Sequence, residues 1–240
     1  MRINRYLSLC GVASRRKSEQ LILEKRVKIN GRVAENFAID VDPKRDVVTV
    51  DGKVITLKED YIYLMLHKPK GYVTTTSDDR GRRTVMDLIK VPKNRRVYPV
   101  GRLDYNTEGL LLFTDDGDLT NILTHPSRKI EKTYVARIKG TITPEELNKL
   151  RSGVEIDGVK TAPAKVRVLE GDEESTRLEI IIHEGRNRQV RKMLESVGKE
   201  TEFLKRISIG EIRLGGLPRG KFRMLNKKEI AYLQSLKEKK

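Results

Sequence analysis

The chain has 240 residues, enough for one large domain or a small one followed by a larger one. Its 50 Lys and Arg stand against 34 Asp and Glu, a formal charge of +16, and only 37% of residues are hydrophobic. That balance argues against a single large apolar core and for an anionic partner, nucleic acid ahead of an acidic membrane.

One cysteine, Cys10, and three histidines, His67, His125 and His183, allow no internal disulfide and no cluster with zinc spacing. Cys10, among Leu7, Leu9 and Val12, reads as a small core residue in a reducing compartment. No apolar run approaches the roughly 18 residues of a membrane span, and the first residues lack the apolar stretch of a secretory signal. The expectation is a cytoplasmic protein.

Residues 1 to 32 carry nine basic and two acidic side chains, whereas residues 33 to 60 carry four basic and seven acidic. This switch suggests a module with one basic face. Ile3 to Cys10 predicts a short helix stopped by Gly11. Ser14 caps a second helix through about Arg26, with Leu21, Ile22 and Leu23 as its buried side. Arg15, Arg16 and Lys17 crowd its first turn, where cations oppose the helix dipole. Stability does not explain that placement, but phosphate binding does. Asn30-Gly31 and Asp51-Gly52, each between alternating residues, predict two hairpins. Residues 56 to 61 read as a polar linker, giving domains of 1–58 and 59–240.

Beyond it, strands are expected near Tyr61 to His67, Val97 to Val100 and Gly109 to Thr114, with one or two helical turns at Thr84 to Ile89. Asp118 is expected to cap a short helix ending near His125-Pro126. Strands at Lys132 to Lys139, Ala164 to Leu169, Arg177 to His183 and Phe203 to Ile212 follow. One helix begins at Thr143-Pro144, a second runs from about Asn187 to Val197, and a last begins at Asn226. The closing KEKK reads as a frayed tail. Strand–helix alternation is too irregular for a doubly wound parallel sheet. The fold class is therefore α+β: a small basic module, then a domain with a mixed, mostly antiparallel sheet flanked by helices and loops.

The densest chemical signal is Gly101-Arg102-Leu103-Asp104-Tyr105-Asn106-Thr107-Glu108-Gly109, followed by an apolar strand and Thr114-Asp115-Asp116-Gly117. Glycines at 101 and 109 bracket a loop carrying Arg102 and Asp104, and loops on a rigid sheet commonly carry catalytic groups. Composition alone leaves a solvated surface turn as the plainer reading. Asp115-Asp116-Gly117-Asp118 lacks EF-hand spacing and reads as a tight turn into a helix, with no metal. There is no glycine-rich nucleotide loop, so no cofactor is expected.

This stretch resembles the signature of the RsuA/RluB group of ribosomal RNA pseudouridine synthases. His67-Lys68-Pro69-Lys70-Gly71, His125-Pro126, Lys132-Thr133-Tyr134 and the run from Glu184 to Met193 resemble other blocks of that family in order. Residues 1 to about 45 are similar to the α-L RNA-binding module of a small-subunit ribosomal protein, on Gly11 to Arg16 and Val27 to Gly31. The resemblance implies isomerisation of a uridine to pseudouridine. That reaction needs a carboxylate near C1′, a cation to keep it charged, a flat wall for the loose uracil, and a nucleotide extruded from its helix.

By resemblance Asp104 is the catalytic carboxylate, Arg191 the cation paired with it, and Tyr134 the aromatic wall. Arg102 and Leu194 are expected at the substrate pocket. Arg2, Arg5, Arg15, Arg16 and Lys17, with Lys25, Arg26, Lys28 and Arg32, are candidates for RNA phosphate in the N-terminal module. Lys68, Lys70, Arg186, Arg188 and Lys192 are candidates in the larger domain. The implied partner is ribosomal RNA or an assembling ribosomal particle, leaning to the large subunit, with the protein a monomer. The competing reading is a non-catalytic RNA-binding or assembly factor, which has no use for an acid beside phosphate.

Overall fold

The structure is a computed structural model that describes residues 1–58, 60–92 and 95–238. Two compact units divide the chain. One comprises Met1–Ile62 with Val91–Val97 and Asp115–Gly117; the other comprises Tyr63–Lys90, Tyr98–Thr114 and Asp118–Lys240.

In the first unit, helix α1 (Ile3–Leu9) ends at Cys10, and Gly11 follows with φ +80°. Helix α2 (Arg15–Leu23) starts at Ser14, whose hydroxyl accepts the Lys17 N–H at 3.3 Å. It stops short of the expected Arg26, because Lys25 turns left-handed and the chain enters strand β1 (Val27–Ile29). Of the expected apolar trio, Ile22 is buried and Leu23 is 60% exposed. Strands β2 (Arg32–Val33), β3 (Val48–Val50) and β4 (Lys53–Ile55) complete an antiparallel sheet of order β2-β1-β3-β4.

Both predicted hairpins form at Asn30-Gly31 and Asp51-Gly52, with positive φ at all four residues. Two left-handed residues in a row give the turn that matches the twist of paired strands. Ile3, Leu7, Ile22, Val27 and Val48 form the core, with Cys10 packed at its margin.

The segment expected as a polar linker is tied down. Leu57 packs on that core and the Lys58 ammonium pairs with Asp115 at 2.9 Å. Asp115 also accepts the Ile62 N–H at 2.8 Å and the Arg95 Nε at 3.0 Å. Glu59, within the expected linker, lies outside the described residues.

The second unit is built on a nine-stranded sheet. Its chain order begins with β5 (Tyr63–Lys68), a 3-10 turn at Val85–Leu88, β6 (Tyr98–Val100), β7 (Glu108–Thr114) and helix α3 (Gly117–Thr124). Then come β8 (Lys132–Lys139), α4 (Pro144–Ser152), the hairpin β9 (Glu155–Ile156) and β10 (Val159–Lys160), β11 (Lys165–Gly171) and β12 (Ser175–Ile182). Helix α5 (Gln189–Ser196), β13 (Thr201–Ile209), β14 (Ile212–Arg213), β15 (Phe222–Met224) and α6 (Lys227–Glu238) close the chain. Lys239 and Lys240 of the expected frayed tail lie outside the described residues.

The sheet order is β11-β12-β8-β13-β7-β5-β15, with β14 on β13 and β6 on β7. Among the strand pairings of this sheet in the described residues, only β13–β7 is parallel. Strands β5 and β7 are buried along their whole length, which is why Tyr63–Leu66 and Leu110–Phe113 read as apolar runs rather than alternating ones. Capping boxes start α4 (Thr143 with Glu146) and α6 (Asn226 with Glu229) as the sequence predicts. Asp118 sits in the first turn of α3 instead of capping it, because the helix starts one residue earlier at Gly117.

Candidate active site

The loop from Gly101 to Thr107 enters β7, and β7 decides where it lies. Gly109 takes φ +115°, and a Cβ there would fall 2.2 Å from the Arg206 carbonyl oxygen. Only glycine lets β7 come this close to β13, so this residue of the signature is a packing requirement.

Two buried cations then hold the loop by its backbone. The Lys68 side chain, 0% exposed at the end of β5, donates to the carbonyls of Thr107 at 2.9 Å, Asp104 at 3.0 Å and Pro69 at 3.1 Å. Burial pushes its pKa down to about 8 against the pull of Asp104 and Glu108. Arg191, on α5, donates to the Asn106 carbonyl and to the Thr201 carbonyl, both at 3.1 Å. Burial likewise lowers its pKa, with Asp104 acting in the opposite sense. Thr74 adds a hydroxyl bond of 2.7 Å to the Leu103 carbonyl.

These contacts correct two expectations. Lys68 is not a surface phosphate contact, since its ammonium is sealed under the loop. Nor does Arg191 form an ion pair with Asp104: its guanidinium is spent on backbone carbonyls, although its charge is near enough to be felt.

Asp104 itself is half-buried and lines a cavity of about 130 Å³. Strand register builds the opposite wall. Tyr134 on β8 lies directly across from Arg206 on β13, so both project to one face. Lys132 and Leu204, each two residues from these, fall on the same face. Ile182 pairs with Lys132 from β12. All five line the cavity with Asp104, as do Arg102, Arg186, Arg188 and Val190. Asp104 is the only acid among the lining residues.

Leu194 is fully buried and is not among them; Leu204, Ile182 and Val190 supply the apolar lining instead. Its place on α5 turns it into the core. Sequence reading missed Lys132 and Arg206 as cavity residues. The spacing of Arg206 two residues after the apolar Leu204 in β13 was the available signal.

The remaining basic candidates divide. Arg15, Arg16, Lys17, Lys28 and Arg32 are exposed and make no ion pair among the described residues. Arg26 is engaged by Asp51 through two hydrogen bonds, at 2.9 and 2.6 Å, and by Glu24. Arg2 meets Asp40 and the Ala38 carbonyl. Arg5 and Lys25 are exposed. Arg186 holds the Val159 and Lys160 carbonyls of the β9–β10 hairpin, and Lys192 pairs with Asp157. Arg188 stands 3.7 Å from Glu195, and Lys70 lies over the Phe203 ring.

Asp104, on a braced loop, thus shares one cavity with an aromatic ring and the buried cations Lys132 and Arg206. Residues 62–196 match the family model described as RNA pseudouridylate synthase, and residues 1–47 match that of the S4 domain. The chain belongs to the RNA pseudouridylate synthase family. It is 45% identical to an RNA pseudouridine synthase of Aquifex aeolicus, over 97% of this chain and 93% of that one. It is 43% identical to the ribosomal large subunit pseudouridine synthase B of Bacillus subtilis, over 98% and 96%. A crystal structure of a pseudouridylate synthase superposes with a TM-score of 0.70 at 29% identity, covering 97% of this chain and 99% of the other.

Proposed function

We propose that this protein converts one uridine of ribosomal RNA, in the large subunit, to pseudouridine, with Asp104 as the catalytic carboxylate. The carrying observation is that Asp104 is the single acid on a cavity walled by Tyr134. The large-subunit assignment follows the Bacillus subtilis relative, a ribosomal large subunit pseudouridine synthase B.

The target nucleotide leaves its helix to enter the cavity, because the glycosidic bond is shielded within a duplex. Arg102, exposed on the same loop, occupies the gap or meets the flanking phosphate. Tyr134 stacks on the base, an interaction worth about 1–3 kcal/mol. Asp104 attacks C1′ or takes the C2′ proton, the base detaches, turns, and rejoins through C5. Atoms balance without a cofactor. Lys68 and Arg191 are positioning residues that hold the loop carrying Asp104. The exposed cations of the N-terminal unit supply phosphate affinity, and binding structured RNA by shape suits a surface so poor in aromatics. The protein acts as a monomer in the cytoplasm.

Pseudouridines mapped in ribosomal RNA from cells lacking this protein test the assignment. One large-subunit site is expected to revert to uridine and to be restored by the intact gene. An unchanged map contradicts it.

A further inference from the structure

Arg206 is 4% exposed and lines the same cavity as Asp104 and Tyr134. Its side chain makes one hydrogen bond, from Nε to the Leu110 carbonyl at 2.9 Å. Its Nη2 is buried with no partner, and no carboxylate of the described residues pairs with it. A guanidinium carries five donors, and leaving donors unpaired in a buried site is costly. Lys132 adds a second buried cation on the same sheet face, its ammonium 3.5 Å from the His183 carbonyl. Burial and the neighbouring Arg206 together push the Lys132 pKa down to about 8. Neither forms an ion pair with an acid among the described residues. A cavity built this way is matched to a ligand that brings negative charge and acceptor oxygens.

The proposed reaction produces such a group. When the C1′–N1 bond breaks, its electron pair stays with the base and spreads over N1, O2 and O4. The route does not matter: if Asp104 attacks C1′ or if it takes the C2′ proton, negative charge leaves the carboxylate and appears on the pyrimidine. The anion then forms the C5–C1′ bond as Asp104 leaves C1′ or returns the proton to C2′ and so regains its charge; the C5 proton passes through solvent to N1, and no outside oxidant or reductant enters.

Resting on the function proposed above, we infer that Arg206 binds a pyrimidine oxygen of the extruded base and stabilises the detached uracil anion. The register that sets Arg206 opposite Tyr134 lets the ring hold the face of the base while the guanidinium meets its edge. Lys132 contributes charge from the next position on that face. The cations are in place before the charge develops, which is the condition under which such donors accelerate a step most.

The test uses the full chain in single-turnover reactions on an RNA containing the target uridine. Arg206→Gln is expected to slow pseudouridine formation at saturating RNA by about 10²–10³-fold, with the RNA dissociation constant unchanged within about threefold. Substrates with 2-thiouridine or 4-thiouridine at the target supply the second arm, since sulfur is a poorer acceptor. One of them is expected to slow the wild type and to add little to the Arg206→Gln defect, the non-additivity expected of direct partners.

Arg206→Lys retains charge without the planar fork, and intermediate slowing is expected. If Arg206→Gln does not fold, the thio comparison on Arg206→Lys decides. An unchanged rate, a defect confined to RNA affinity, or equal thio effects in wild type and variant overturns the inference. Absence of pseudouridine from the wild-type reaction would instead reject the function on which it rests.

Discussion

The two units use basic residues in opposite ways. In the first, Arg15, Arg16, Lys17, Lys28 and Arg32 stand in solvent without acidic partners among the described residues. In the second, Lys68, Lys132, Arg191 and Arg206 are buried, and each bonds backbone carbonyls rather than a carboxylate. Carbonyls satisfy donors but do not cancel charge. The exposed set therefore offers a field that salt screens, whereas the buried set brings positive potential to a small volume shielded from salt. A count of Lys and Arg merges these two jobs, and the +16 total says nothing of how it divides.

The sharpest way to break the comparison is to remove a buried cation. Lys68→Met leaves the carbonyls of Asp104 and Thr107 without their donor. Loss of about 3 kcal/mol of stability is expected, in the range for stranding buried polar groups, together with a fall in kcat much larger than any change in RNA affinity. Denaturant unfolding and single-turnover rates check both. A variant of unchanged stability and rate would mean that the loop does not depend on Lys68.

The exposed set should respond more weakly and in affinity alone. The triple change Arg15→Gln, Arg16→Gln, Lys17→Gln is expected to weaken RNA binding about tenfold at moderate salt and to lower the salt slope by about 2. The rate at saturating RNA should stay unchanged. An unaltered slope would remove these residues from the phosphate interface.

Much of the local structure was readable from the sequence because its causes are local. Asn-Gly and Asp-Gly turns, the Thr143–Glu146 and Asn226–Glu229 boxes, and the alternation of Lys132 to Lys139 all act within a few residues. Asp157-Gly158, a turn of the same kind, was overlooked, and the β9–β10 hairpin with it. What stayed hidden depends on strand order. Lys132, Tyr134 and Arg206 meet only because β8 and β13 are neighbours in this sheet. Nothing near Lys68 in sequence shows that its ammonium reaches a loop beginning more than thirty residues later; a surface lysine and a buried brace look identical in one dimension. Arg191 was expected to pair with Asp104, but its hydrogen-bond partners are the Asn106 and Thr201 carbonyls.

The most direct measurement compares wild-type protein with Asp104→Asn, scoring pseudouridine formation and RNA binding on the same preparations. Conversion by the wild type, none detectable by the variant, and equal dissociation constants are the predicted results. An Asp104→Asn protein that still isomerises uridine, or one that loses RNA binding along with activity, would contradict the separation of chemistry from affinity.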